Sequence, residues 1–271
     1  MENLTSYTKT KLSCLPVSFY PDFKSGKMNI PKWASMAEQL GLDTIDLSVL
    51  ITRHDNTKPE FPVDTVATYT DFTNPDETVR ESEFSSFMED VRDCNTVGAQ
   101  YLRVTAGQAH PQTSIGQGLN WAEKYLRRAT EFAGLGNVRL LFENHSKPGV
   151  WSYYDFAGEP EIYFELVKRL ESTKIDLLFD TANACYYKQD PVRMLERIFP
   201  RVRRIHVADI IAGEHLRPAP IGQGIVPLPE IFKFLKKNKF SGSFSIEEAS
   251  FNGFEGMKKA VEATRNLWMN A

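Results

Sequence analysis

The chain has 271 residues, of which 42% are hydrophobic and 25% charged, with a formal net charge of −3. This is the composition of a globular protein, and its mixed charges exclude the broad basic field that binding to nucleic acid by counterion release requires. Three widely spaced cysteines, Cys14, Cys94 and Cys185, form no CxxC pair, which excludes a thiolate zinc site or a disulfide framework and fits a reducing compartment.

The opening stretch, MENLTSYTKTKLSC, lacks the apolar core of a signal peptide. No run approaches the roughly 18 consecutive apolar residues that span a bilayer. A cytoplasmic protein with neither membrane nor nucleic-acid partner is expected.

In chain order, short apolar runs alternate with longer amphipathic ones. Strand 12–19 precedes helix 31–40, with Gly41 at the C-cap, and strand 44–50 follows. The polar, Pro-rich segment 53–62, RHDNTKPEFP, reads as a long loop rather than a second helix. Strand 66–72 leads to helix 75–97, and strand 101–106 to helix 118–135. The second half repeats the unit: strands 138–143, 175–180, 202–207 and 243–247 are followed by helices 161–170, 191–198, 229–237 and 254–268. Strict alternation implies parallel strands joined by right-handed crossovers, and eight units close a barrel. The expected fold is a single α/β domain over residues 1–271, a (β/α)8 TIM barrel. A doubly wound open sheet is the competing fold, but no GxGxxG follows the first strand.

Four strands end in an ionisable residue directly after apolar sequence: VRLLF before Glu143, IDLLF before Asp180, VRRI before His206 and GSFSI before Glu247. Charge buried at a strand end is costly unless paired or bound to metal, so four equivalent cases call for one joint explanation. Adjacent strands present their C-terminal ends on one rim of a barrel, where barrel enzymes keep their active sites. One divalent cation shared by Glu143, Asp180, His206 and Glu247 meets the requirement. Two glutamates, an aspartate and an imidazole suit Mn²⁺ best, with Mg²⁺, Co²⁺, Fe²⁺ or Zn²⁺ as alternatives.

With LLFENH, LLFDTAN, RIHVAD and FSIEEA in this order, the chain resembles the xylose isomerase-like superfamily of sugar isomerases and epimerases. EQLGLDTIDLS near the start and IGQGIVPLPEIFKFLKKNKFSGSFSIE near the end extend the likeness over nearly the whole chain. The resemblance implies that the same four residues hold the metal and that Glu143 and Glu247 also act as the acid/base pair. Such a pair moves a proton beside a carbonyl while the metal stabilises the enediolate. Two departures concern substrate. Asn183 stands where many members carry a histidine, and the Arg beyond the seventh-strand His is displaced, leaving Arg217 as its candidate.

Other candidates surround this set. His145, two residues after Glu143, and His110, after the fourth strand, are expected to touch substrate. Trp151, with Tyr153 and Tyr154, is positioned to offer an aromatic platform to a sugar. His54 and His215 read as solvated loop residues. The expected activity is that of a metal-dependent isomerase or epimerase acting on a small-molecule sugar or its derivative, in a chain that can form homo-oligomers. A lyase or dehydratase on a keto-sugar or keto-inositol is the alternative, ahead of an endonuclease IV-like phosphodiesterase and a non-catalytic sugar-binding barrel.

Overall fold

The computed structural model describes residues 10–146, 149–212 and 217–271. Eight strands, β1 (Leu12–Leu15), β2 (Ile45–Ser48), β3 (Val63–Ala67), β4 (Tyr101–Val104), β5 (Arg139–Glu143), β6 (Asp176–Asp180), β7 (Val202–Val207) and β8 (Ser243–Glu247), lie side by side in chain order, and β8 pairs back onto β1. Every pair is parallel. The seam between β1 and β2 is bridged by Asp43, whose backbone N–H donates to Leu12 O at 2.9 Å while its carboxylate accepts from Leu12 N–H at 3.1 Å. The fold is a (β/α)8 TIM barrel.

Among the described residues, ten α-helices connect or flank the strands: α1 (Tyr20–Lys24), α2 (Ile30–Gln39), α3 (Val49–Thr52), α4 (Glu77–Val97), α5 (Ile115–Leu135), α6 (Pro160–Arg169), α7 (Asn183–Tyr186), α8 (Pro191–Ile198), α9 (Leu228–Lys237) and α10 (Gly253–Asn270). Their starts follow local chemistry. Asp76 caps α4 through Thr78 N–H, and Ser114 and Gln117 form a reciprocal capping box on α5. That box sets the start of α5 at Ile115, three residues before the expected position. None of the helices among the described residues is long and apolar enough to cross a membrane.

Several boundaries differ from expectation. The first strand stops at Leu15 because Pro16 has no N–H to continue a ladder, and residues 17–24 turn into a 3₁₀ segment and α1. The second strand stops at Ser48, whose hydroxyl caps the short α3 through Leu50 N–H at 3.2 Å, so residues 49–50 are helical. The third strand is Val63–Ala67 rather than 66–72. Residues 68–72 instead track the loop after β4: Thr70 Oγ1 donates to Thr105 O at 2.8 Å and Phe72 N–H to Ala106 O at 3.1 Å. Segment 53–62 forms no helix, as the sequence suggests.

The main core lies between the outer strand faces and the helices, around Trp33, Phe87, Tyr163 and Phe179. The barrel interior is unusually polar. Arg204 on β7, 1% exposed in its side chain, donates to both carboxylate oxygens of Asp46 at 2.6 and 2.7 Å, to Ser243 at 2.8 Å, and to Asp64 and Ser13. Strand alternation puts the fully buried Leu141 and Leu178 two residues before Glu143 and Asp180 on the same faces of their strands.

Removing one partner of a buried, hydrogen-bonded charge cluster leaves the others uncompensated. Arg204→Met should therefore lower the unfolding free energy by about 3–5 kcal/mol in a urea titration. Lys124→Met, which breaks the exposed 3.5 Å pair with Glu77, should leave the midpoint unchanged.

Candidate metal centre and active site

The C-terminal ends of β5, β6, β7 and β8 bring Glu143, Asp180, His206 and Glu247 to one rim. In-register pairing sets Asp180 beside His206 across β6 and β7. Glu143, Asp180 and His206 are buried, and each offers a ligand atom such that all three lie within 4.8 Å of one another. Glu247 stands on the open side. Its Oε2 is 3.9 Å from His206 Nδ1, and its side chain keeps 30% of its surface exposed.

Each ligand is oriented by its surroundings. Asp180 Oδ1 accepts the N–H groups of Ala182 at 2.8 Å and Asn183 at 2.7 Å, which leaves Oδ2 buried with no hydrogen-bond partner among the described residues. Asn144 staples the ends of β5 and β6, accepting Asp180 N–H at 2.7 Å and donating to Asp180 O at 3.0 Å. Glu143 lies 3.0 Å from Arg103 Nε through Oε2 and 3.2 Å from His206 Nδ1 through Oε1. Arg103, 2% exposed, also donates to Thr68 O at 2.6 Å.

Burial alone would raise Glu143, but the Arg103 guanidinium and the His206 ring outweigh it and hold the carboxyl below the usual carboxylate range. Asp180 goes the other way: burial, reinforced by Glu247 and Glu143, pushes it well above that range. An orphaned buried oxygen on a carboxylate crowded by two others is a donor set short of one positive charge. The residues therefore fit a divalent cation, with Glu143, Asp180, His206 and Glu247 able to hold it.

Asp180 and Glu247 floor a cavity of about 1530 Å³ that is also lined by Arg103, Tyr69, His145 and Asn183, with Glu143 and His206 packed against them. His145 is held by Asp155, with Nδ1 3.2 Å from Oδ2, and Trp151 packs edge-on against its ring at 5.5 Å. Asn183 starts α7 and accepts a hydrogen bond from Ser146 at 2.6 Å. Asp209, after β7, accepts the N–H groups of Ile210, Gly222, Gly224 and Val226 and so shapes the loop that closes one side. A Cβ at Gly224 would collide with Asp209 and Ile210 O, which explains the glycine.

Three expected substrate contacts sit elsewhere. His110 is turned into a smaller neighbouring cavity, its Nε2 2.8 Å from Asp71 Oδ2 and its ring against Tyr153. Trp151 is 8% exposed and packs behind His145 instead of facing a sugar. Arg217 lies exposed in a two-residue hairpin pairing with Ile211, and its neighbour Pro218, not Arg217, reaches the cavity wall. His54, expected to be merely solvated, is exposed on that wall. His215 lies outside the described residues. Arg103 and Asp155 went unnoticed in the sequence reading. For Arg103 the signal was present, a lone charge inside the apolar strand YLRV. For Asp155, in an irregular loop, there was none.

The family model described as xylose isomerase-like TIM barrel matches residues 36–267. Inosose dehydratase of Bacillus thuringiensis (strain Al Hakam) is 27% identical over 149 residues, 47% of this chain and 47% of that protein. The chain thus spans about half the length of the curated relatives it matches. The probable 3-DHS dehydratase AsbF from Bacillus anthracis superposes with a TM-score of 0.76 at 16% identity, covering 94% of this chain and 99% of that one. The IOLI protein, crystallised with a bound zinc atom, gives 0.74 at 16% identity, with 95% and 96% covered. At these identities the two structures speak for the fold.

Proton and cation compete for the Asp180 carboxylate. Because its folded-state pKa is raised, the metal-free protein loses stability as pH rises through that value, and a bound cation removes the loss. Mn²⁺ at about 100 times its Kd should stabilise the fold by about 2.7 kcal/mol. The gain should shrink as pH falls and vanish in Asp180→Asn, read as the shift in melting temperature between EDTA and Mn²⁺.

Proposed function

The chain belongs to the xylose isomerase-like TIM-barrel family, and from that footing we propose that it is a divalent-metal enzyme that isomerises or epimerises a keto-sugar or keto-cyclitol by moving a proton beside the carbonyl. The observation that carries this reading is the convergence of three buried donors, Glu143, Asp180 and His206, beside the half-open Glu247, with Asp180 and Glu247 lining a large cavity. A cation held there supplies charge stabilisation to the two adjacent oxygens of an enediolate.

The remaining roles fall to side chains. Glu247, on the open side, removes the proton from carbon. Glu143, 2% exposed and paired with Arg103 and His206, anchors the site instead of shuttling protons, which modifies the expected pairing of the two glutamates. The second acid/base group on the cavity wall is His145, whose Nδ1 faces Asp155 and whose other ring nitrogen is thereby left to exchange a proton with substrate. Asn183 supplies a hydrogen-bonding amide at the same wall.

A dehydratase is the second reading, favoured by the His145 and Asp155 pair, which suits protonation of a departing hydroxyl, and by the inosose dehydratase likeness. Both readings share the first step and part at the second.

Incubation of the Mn²⁺-loaded protein with ketoses and an inosose in D₂O should incorporate solvent deuterium beside the carbonyl. Glu247→Gln should lower kcat by about 10²–10⁴-fold, the usual worth of a general base. Retention of mass apart from deuterium identifies isomerisation or epimerisation, whereas loss of water identifies the dehydratase. No exchange with any keto-sugar overturns the proposal. His145→Gln separates the two courses further, since in a dehydratase it should suppress water loss by about 10² or more while deuterium exchange persists.

A further inference from the structure

The cavity is larger than its floor needs and is chemically divided. At about 1530 Å³ it exceeds the roughly 300–1,000 Å³ common for small-ligand sites. The polar groups at its floor, Arg103, His145, Asp180, Asn183 and Glu247, come from β4 to β8 and the segments just after them. The opposite wall, built from the first two βα units, sets an apolar strip of Val17, Tyr20, Phe23, Leu50 and Ile51 beside the polar Lys24, His54 and Asp55, and is completed by Phe251 from the loop after β8.

Two observations show that this wall is not ordinary core. Leu50 is 37% exposed and Phe251 62% exposed, and both turn toward the same cavity. Phe251 also sits at φ 58°, a left-handed conformation that an aromatic residue rarely adopts, and its N–H is held by Ser18 Oγ at 2.8 Å. Backbone strain that keeps a phenylalanine ring at the rim of a site is of the kind that accompanies ligand contact.

Charge narrows the occupant. Among the described residues, Asp55, Asp180, Asp209 and Glu247 line the cavity against the side-chain cations Lys24 and Arg103, and Arg103 is already bound to Glu143 and Thr68 O. A phosphate would meet a mostly anionic wall with no arginine cluster to receive it.

We infer that the substrate is an unphosphorylated keto-sugar or keto-cyclitol carrying an apolar, ring-sized substituent, the sugar lying on the polar floor and the substituent against Phe23, Leu50 and Phe251. This rests on the preceding reading that a sugar occupies the floor. Transfer of the substituent from water to the trough provides binding that a bare sugar lacks.

Unreactive glycosides test the specificity apart from turnover. Isothermal titration calorimetry of the Mn²⁺-loaded protein should find phenyl β-D-glucoside bound at least about tenfold more tightly than methyl β-D-glucoside. At about 25 cal/mol per Å² this ratio needs roughly 55 Å² of apolar surface to be buried. D-glucose 6-phosphate should bind no more tightly than the methyl glucoside. In Phe23→Ala the phenyl-to-methyl ratio should fall below about threefold, whereas a variant that merely loosened the fold would weaken both together and keep the ratio. Equal affinities, a preference for the phosphate, or a ratio unchanged in Phe23→Ala overturns the inference. Because neither glucoside turns over, such a failure is distinct from an absence of deuterium exchange, which overturns the enzymatic reading.

Discussion

The ion pair between Arg103 and Glu143 is the interaction on which the site depends. Both side chains are 2% exposed and 3.0 Å apart, so neither is stable in place without the other. The pair fixes one carboxylate in its ionised form at the end of β5 and anchors it across to β4. Through Oε1 the same carboxylate holds His206 on β7, linking strands that are not sheet neighbours. What is left uncompensated is Asp180, with one oxygen satisfied by two backbone N–H groups and the other by nothing among the described residues. The charge imbalance is therefore localised at the point where the cavity floor opens.

Below that floor, the barrel interior repeats the solution with protein groups alone. Arg204 satisfies Asp46, Asp64, Ser13 and Ser243, drawing β1, β2, β3 and β8 onto β7 from inside. Barrels are more commonly filled by branched apolar side chains. A directional hydrogen-bonded hub fixes the relative heights of the strands more tightly than interchangeable aliphatics would, and the ligand heights at the upper rim are set by those same strands.

The fold is legible because it rests on periodicity, and periodicity survives in a single sequence: eight apolar runs announce the barrel, although the first two overrun their strands and the third is displaced. The run that was misplaced, β3, fails for a physical reason. Residues 68–72 keep a strand-like pattern because they are buried and bonded to the loop after β4, though they have left the sheet. The convergence of Glu143, Asp180, His206 and Glu247 was legible because each closes an apolar strand. His110, Trp151 and Arg217 lie on loops, whose directions are set by tertiary contacts such as Asp71 with His110 and Trp151 with His145, and no local pattern encodes those. Arg103 and Arg204 carry the same signal in the sequence as Glu143 and Asp180, a charge within an apolar strand, at mid-strand instead of strand-end positions.

This division between strand-borne and loop-borne groups has a consequence for specificity. Of the groups that would handle protons, Glu247 ends a barrel strand, and His145, two residues past β5, is held by its buried pairing with Asp155. The wall facing them is carried by α1, α3 and the segment around Phe251, short elements whose anchoring consists of a few bonds, among them Ser18 with Glu248 and Phe251 N–H with Ser18. Changes in those short elements alter which substituent fits without disturbing the charges on the floor. Conversely, a change at Arg103 reaches every substrate alike, because it acts on Glu143 and His206 before any ligand arrives. On the proposed reading, chemistry and selectivity are separable in this barrel, the first residing in β4 to β8 and the segments just after them, the second mainly in the loops after β1, β2 and β8.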